Sequence, residues 1–193
     1  MTFGDPVQVR FAGAGGQGVI LAGVLVAEAG MHDGLHVVST QSYGPEARLG
    51  AAKSEVVLSR SAVVLPQVRL PNVVVCLSLE AYKKHGHPLA AGGVRIVDER
   101  AFPTDAAPVP GGVVLPILTT ARDLGPGGEL TANVVALGAL VGLTGVVTEE
   151  SLRLALKNRI KVALLERNER AFAAGLALGA GTPLGTAQPA ARL

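Results

Sequence analysis

Four glycines fall within six residues, Gly13-Ala14-Gly15-Gly16-Gln17-Gly18. The run is bracketed by Val7 to Ala12, which reads as a buried strand, and by an apolar helical stretch from Val19 to Gly30. Few folds accept that order. Glycine permits positive φ and lacks the Cβ that would keep another group off the backbone, so the chain can turn sharply from strand to helix with its amides open. The first amides of a helix have no intrahelical partner, and the helix dipole favours an anion beside them. A phosphate-binding turn is therefore the functional reading, and a tight strand-to-helix turn without ligand is the bland one.

The rest of the chain alternates in the same manner. Strands are expected at 35–40, 53–59, 72–79, 93–98 and 113–118, and helices at 80–85, 131–143, 148–158 and 161–176. This order implies an α/β fold: a doubly wound, mainly parallel, Rossmann-like sheet with helices on both faces. Hydrophobic residues make up 49% of the 193, aromatics only 3%, so the core must come from Val, Leu, Ile and Ala, as in strands covered on both sides. The length fits one domain, expected over residues 1–176. From 177 to 193 the chain is rich in Gly, Ala, Pro and Thr with a single charge at Arg192, and a mobile tail is expected there.

A net charge of +2 argues against nucleic-acid binding, which leaves a concentrated basic stripe. The lone Cys76 can form no intrachain disulfide and cannot supply the four thiolates of an iron–sulfur cluster. Leu130 to Val147 carries no charge but contains Thr, Asn and glycines, which fits a buried helix better than a membrane span. With no charged-then-apolar leader at the start, a cytoplasmic location is expected.

The glycine pattern alone does not specify a nicotinamide nucleotide. That use also needs Asp or Glu about 20 residues on, at the end of the second strand, for the ribose hydroxyls. Here the strand ends Ser39-Thr40-Gln41-Ser42, with no carboxylate before Glu46. The loop that follows, Gln41 to Arg48, is expected to face the same crevice as the glycine turn. In it Ser42 and Gln41 offer hydrogen bonds, Tyr43 a ring to stack or pack, and Arg48 a guanidinium to fork onto phosphate, with Lys53 adding a point charge. Each is equally readable as part of a solvated turn. Asn133 begins a predicted helix, where capping is the preferred role and reaching the crevice the other. His85 and His87 sit in a turn without a third ligand, Asp98-Glu99-Arg100 reads as a solvated strand end, and Ser59 and Ser61 lack a nucleophile-elbow context.

Taken in order, Gly13 to Val19, Gln41 to Arg48, Ala52-Lys53-Ser54-Glu55-Val56 and Asn133 to Leu140 resemble the gamma subunit of the 2-oxoacid:ferredoxin oxidoreductases, in the 2-oxoglutarate branch. The resemblance spans residues 5–176. Leu49-Gly50 departs from the pair of glycines usual there. The resemblance implies oxidative decarboxylation of a 2-oxoacid, acyl transfer to coenzyme A and electron transfer to ferredoxin. It also implies alpha and beta partner subunits that hold thiamine diphosphate and iron–sulfur clusters, and a ferredoxin-like delta subunit in some complexes. This chain would help hold coenzyme A, with Gly13, Gly15, Gly16, Gln17, Gly18, Ser42, Tyr43, Arg48, Lys53 and Asn133 as the candidate binding residues and no catalytic residue of its own. Three other readings stay open: a subunit of the indolepyruvate branch, a free-standing NAD(P) dehydrogenase, and a structural adaptor without ligand.

Overall fold

The computed structural model describes residues 3–42, 51–102 and 112–183. They form a six-stranded sheet of β1 (Val7–Ala14), β2 (His36–Ser42), β3 (Ala51–Ser59), β4 (Val73–Cys76), β5 (Val94–Asp98) and β6 (Gly112–Leu115). Six helices accompany it: α1 (Val19–His32), α2 (Leu79–His85), α3 (Ile117–Asp123), α4 (Ala132–Thr144), α5 (Glu149–Arg159) and α6 (Val162–Ala180). The strand order is β2-β3-β1-β4-β5-β6. β1, β4, β5 and β6 run parallel, while β3 runs antiparallel to both β1 and β2. The expected α/β sheet is therefore present and mainly parallel, with one reversed strand between β1 and β2.

The alternation of side chains sends Val9, Phe11, Val56, Leu58, Val73, Val75 and Ile96 to one face. There they meet Leu25 and Val26 of α1, Ile117 of α3, and Leu137 and Leu140 of α4. The intervening residues, among them Ala12, Ala51, Val74, Cys76 and Val97, point to the other face and meet Ala81 and Tyr82 of α2. Helices thus cover both faces, but unequally: one face carries most of the helical mass and the other a single short helix. α6 forms an outer layer on α4. A Cβ on Gly138 would lie 2.2 Å from the Phe172 carbonyl, and one on Gly142 2.5 Å from that of Leu176, so the two helices run side by side in the same direction, backbone against backbone.

Several boundaries differ from expectation: β2 runs on to Ser42, β3 begins at Ala51, and β4 ends at Cys76, three residues short. The strand predicted through residue 118 ends at Leu115, and Pro116 starts α3, because proline cannot donate to the ladder yet suits a helix start. α6 continues past 176 to Ala180 because Gly179 seats against the Ala139 carbonyl. The beginning of the expected tail is thus helical, and residues 184–193 lie outside the described residues.

α1 follows β1 on the heavily covered face, and α2 follows β4 on the other. The connections therefore diverge between β1 and β4, whose carboxyl ends flank a crevice of the kind in which open α/β sheets bind ligands.

Candidate functional site

The glycine loop forms one wall of that crevice. Ala14 closes β1, and the Gln17 amide donates back to its carbonyl at 3.1 Å. Gly18 then starts α1 at φ +69, in the left-handed region, where a Cβ would also fall 2.5 Å from Asn133 Nδ2. Glycine is required there twice over, by backbone strain and by space. At Gly13 the need is space alone, since a Cβ would meet Val19 Cγ1 at 2.7 Å and Gln17 Oε1 at 2.8 Å.

Two side-chain amides hold this shape. Gln17 Oε1 accepts from the Ala14 amide at 2.6 Å, while its Nε2 donates to the Leu77 carbonyl at 3.0 Å. It ties the loop to the end of β4 across the crevice. Asn133, 4% exposed, donates from Nδ2 to the Gly18 carbonyl at 3.2 Å. The preference for a helix cap is corrected: Thr131 occupies the cap position of α4, with no side-chain cap bond. Asn133 reaches the glycine loop instead and braces it from the core side.

What the loop leaves open is main-chain N–H. Among the described residues, the amides of Gly15, Gly16, Gly18, Val19, Ile20 and Leu21 meet no acceptor, and α1 has no side-chain cap. Gly15 and Gly16 are exposed, and nothing lies within 4 Å of the place a Gly16 Cβ would occupy. Such an arrangement has the physical features that favour an anion: donors fixed by the fold, an open approach, and a helix dipole behind.

The cations expected around it fare differently. Tyr43 and Arg48 lie outside the described residues. Lys53 pairs with Ala12, and Ser42 with Lys53, across adjacent strands, so both side chains point to the face opposite α1. Lys53 Nζ is bound to Glu55 Oε2 at 3.0 Å. The expectation of a free point charge beside the glycines is corrected in that respect, because β3 alternates and puts residue 53 on the Glu55 side. Glu55 also receives Arg10 Nε at 2.7 Å, and Arg10 Nη2 donates to the Val68 carbonyl at 3.0 Å. Burial, with Lys53 and Arg10 nearby, holds the His85 imidazole below its ordinary range.

The reversed β3 also changes the nucleotide question. In a dinucleotide fold the strand beside β1 ends at this edge and offers its carboxylate there. Here that neighbour begins at this edge, with Ala51-Ala52-Lys53. Neither β2 nor the first residues of β3 supply an acid at the ribose position.

Other candidates have structural duties. Asp98, 1% exposed, accepts from the amides of Arg100 and Leu118 and so anchors the start of α3, and burial raises its carboxyl above the usual range. The Cys76 thiol is fully buried and pushed up to about 12 by that burial, which leaves no thiolate for ligation or redox chemistry. Ser59 and Ser61 sit at the far end of β3 with Asp5. His87 is exposed and lies against Tyr82 at 5.4 Å between ring centres. Among the described residues, no helix is long and apolar enough to cross a membrane.

Sequence reasoning found the glycines but missed the Leu77 carbonyl as the far anchor of Gln17. The available signal was the end of a buried strand at a divergence of connections.

Comparison with known proteins places this geometry in context. The family model for pyruvate ferredoxin/flavodoxin oxidoreductase matches residues 8–178. The 2-oxoglutarate synthase subunit KorC of Methanocaldococcus jannaschii is 41% identical over 170 residues, covering 87% of this chain and 91% of that protein. The gamma subunit of a keto/oxoacid ferredoxin oxidoreductase from Geobacter sulfurreducens superposes with a TM-score of 0.79 at 40% identity, over 92% of this chain and 98% of the other. The 2-oxoglutarate:ferredoxin oxidoreductase of Magnetococcus marinus, solved with 2-oxoglutarate, coenzyme A and succinyl-CoA bound, matches at TM-score 0.83 and 25% identity. That match covers 95% of this chain but 32% of its own.

Proposed function

Since the chain belongs to the pyruvate ferredoxin/flavodoxin oxidoreductase family, as a gamma-type subunit of a 2-oxoacid:ferredoxin oxidoreductase, we propose that it binds coenzyme A and orients its thiol for acyl transfer, with 2-oxoglutarate as the oxoacid. The observation that carries this reading is the set of unpaired amides of Gly15, Gly16 and Gly18 to Leu21, held open by Gln17 and Asn133. Coenzyme A carries a diphosphate and a 3′-phosphate, which match such donors. The 2-oxoglutarate assignment rests on the KorC relative and on the Magnetococcus structure.

Arg48 is the proposed cationic partner. In the sequence it stands three residues before Ala51, and Ala51 pairs with Ala14 at the loop. Ser42 and Tyr43 are the further proposed hydrogen-bonding and packing groups. Thiamine diphosphate and iron–sulfur clusters, on partner alpha and beta subunits, supply the carbon–carbon cleavage and electron chemistry, with ferredoxin as acceptor and a ferredoxin-like delta subunit where one exists. This chain contributes fixed hydrogen-bond donors and a fixed direction of approach. Orientation of a bound reactant accounts for a large share of many enzymatic rate gains. The cytoplasm is the proposed location.

The test is Arg48→Ala in the assembled enzyme. The KM for coenzyme A is expected to rise about tenfold, the size of one charge-assisted contact, while decarboxylation of the oxoacid persists. An unchanged KM removes Arg48 from the site. Calorimetry of the isolated chain with coenzyme A and with NAD separates this reading from a nicotinamide enzyme: tight NAD binding without coenzyme A binding overturns it.

A further inference from the structure

At the opposite edge of the sheet the chain between β3 and β4 forms an apolar strap. Val64 is 87% exposed, Leu65 75% and Leu70 59%. These are not the side chains of a loose loop. Asp5 holds the near end through the Ser59 hydroxyl and the Arg60 amide, Arg10 holds the Val68 carbonyl, and the Asn72 amide donates to the Gln8 carbonyl at 2.7 Å. The strap is anchored at both ends and carries its apolar residues outward.

Beneath it lies a cavity of about 380 Å³, with Val63, Val64 and Leu65 on one side and Gln8, Ser59 and Arg69 among the others. Gln8 lines it as a residue, while its Oε1 is turned away from solvent. Exposed apolar residues beside an open cavity mark a docking surface.

The path of the chain identifies what docks. Phe3, Gly4 and Asp5 line a neighbouring cavity together with Thr144, Gly145 and Val146, so the N-terminal end of the described chain sits at this edge. Ala180, at the end of α6, lies beside Gly142, its nitrogen 2.9 Å from where a Gly142 Cβ would be, and Gly142 is one turn from Gly145. Both ends of the described residues therefore lie here. In the Magnetococcus protein this domain accounts for 32% of a longer chain, and the remainder must continue from one of these two ends.

We propose that this edge docks the subunit equivalent to that remainder, which inserts an apolar side chain between the strap and β1. The inference rests on family membership and not on the coenzyme A reading, because the glycine loop lies at the other end of the sheet.

The experiment is coexpression of the tagged chain with the large subunit of its own complex, comparing wild type with the double variant V64D/L65D. Both positions are exposed, so the variant is expected to fold, with an unchanged circular dichroism spectrum. Recovery of the large subunit is expected to drop at least about tenfold, the scale of losing anchor residues, while coenzyme A affinity of the isolated chain stays at the wild-type value. Val162→Asp, at the exposed start of α6 (88%), is the surface control and is expected to assemble normally. Unchanged assembly of V64D/L65D overturns the proposal. So does a wild-type chain that dimerises alone and loses only that dimer in the variant, since the face would then pair two copies.

Discussion

Two polar regions share β1 and are resolved in opposite ways. Beside its middle, Arg10, Glu55 and Lys53 satisfy one another and nearby carbonyls, with Arg10 and Glu55 buried. At its carboxyl end, the glycine loop uses two neutral amides, Gln17 and Asn133, for bracing and leaves charged partners out. The contrast separates polar groups that serve folding from those left for a ligand. A cation already matched to a carboxylate has little left to offer an anion, whereas an unpaired amide in a rigid loop keeps its full capacity.

The largest effect is expected where charge is buried. Arg10→Met leaves Glu55 with only Lys53 and frees the Val68 carbonyl, and should cost about 3 kcal/mol in urea denaturation, with the coenzyme A KM unchanged in whatever enzyme assembles. A shifted KM would join the two regions that the geometry separates. Gly18→Ala comes next, at about 2 kcal/mol from positive φ and the clash with Asn133. Combining it with Asn133→Ala should cost less than the sum of the single changes, because one clash is shared.

Gln17→Ala sharpens the contrast from the ligand side. It should lower stability by about 1 kcal/mol and raise the coenzyme A KM severalfold, since the Ala14 amide and the loop lose their tether. Loss of stability with an unmoved KM would make Gln17 a folding residue only. Lys53→Met should be the mildest substitution, under about 1 kcal/mol for a partly exposed pair and with at most a twofold change in KM. A large rise in KM would restore Lys53 to the site.

Acid tests the charged region alone. The folded-state pKa of His85 is lowered from 6.5, so as pH falls through 6.5 the unfolded chain takes up a proton that the folded chain resists. Stability is then lost toward acid. His85→Gln should flatten that part of the stability–pH curve.

How far these regions could be read from sequence follows from the range of the interactions involved. The glycine turn was legible because its cause is local: spacing, a preceding strand and a following helix. Lys53 was misplaced because its partner depends on the register of β3 against β1, and nothing in Lys53-Ser54-Glu55-Val56 declares that the strand is reversed. α3 was hidden in an apolar run, Val113 to Leu118, where Pro116 was the one available signal. The final turn of α6 was mistaken for tail because its glycines look like helix breakers. Their role appears only against the backbone of α4.

The bond from Asn133 to Gly18 joins residues 115 apart in the chain. A nascent polypeptide that has emerged only through β5 can make the glycine turn and its Gln17 tether to Leu77, but it lacks the Asn133 brace on the left-handed residue. Under the proposed coenzyme A reading, full preorganisation for that ligand is thereby deferred until α4 has been synthesised and packed. Fragments produced by premature termination or proteolysis before that helix should not sequester it.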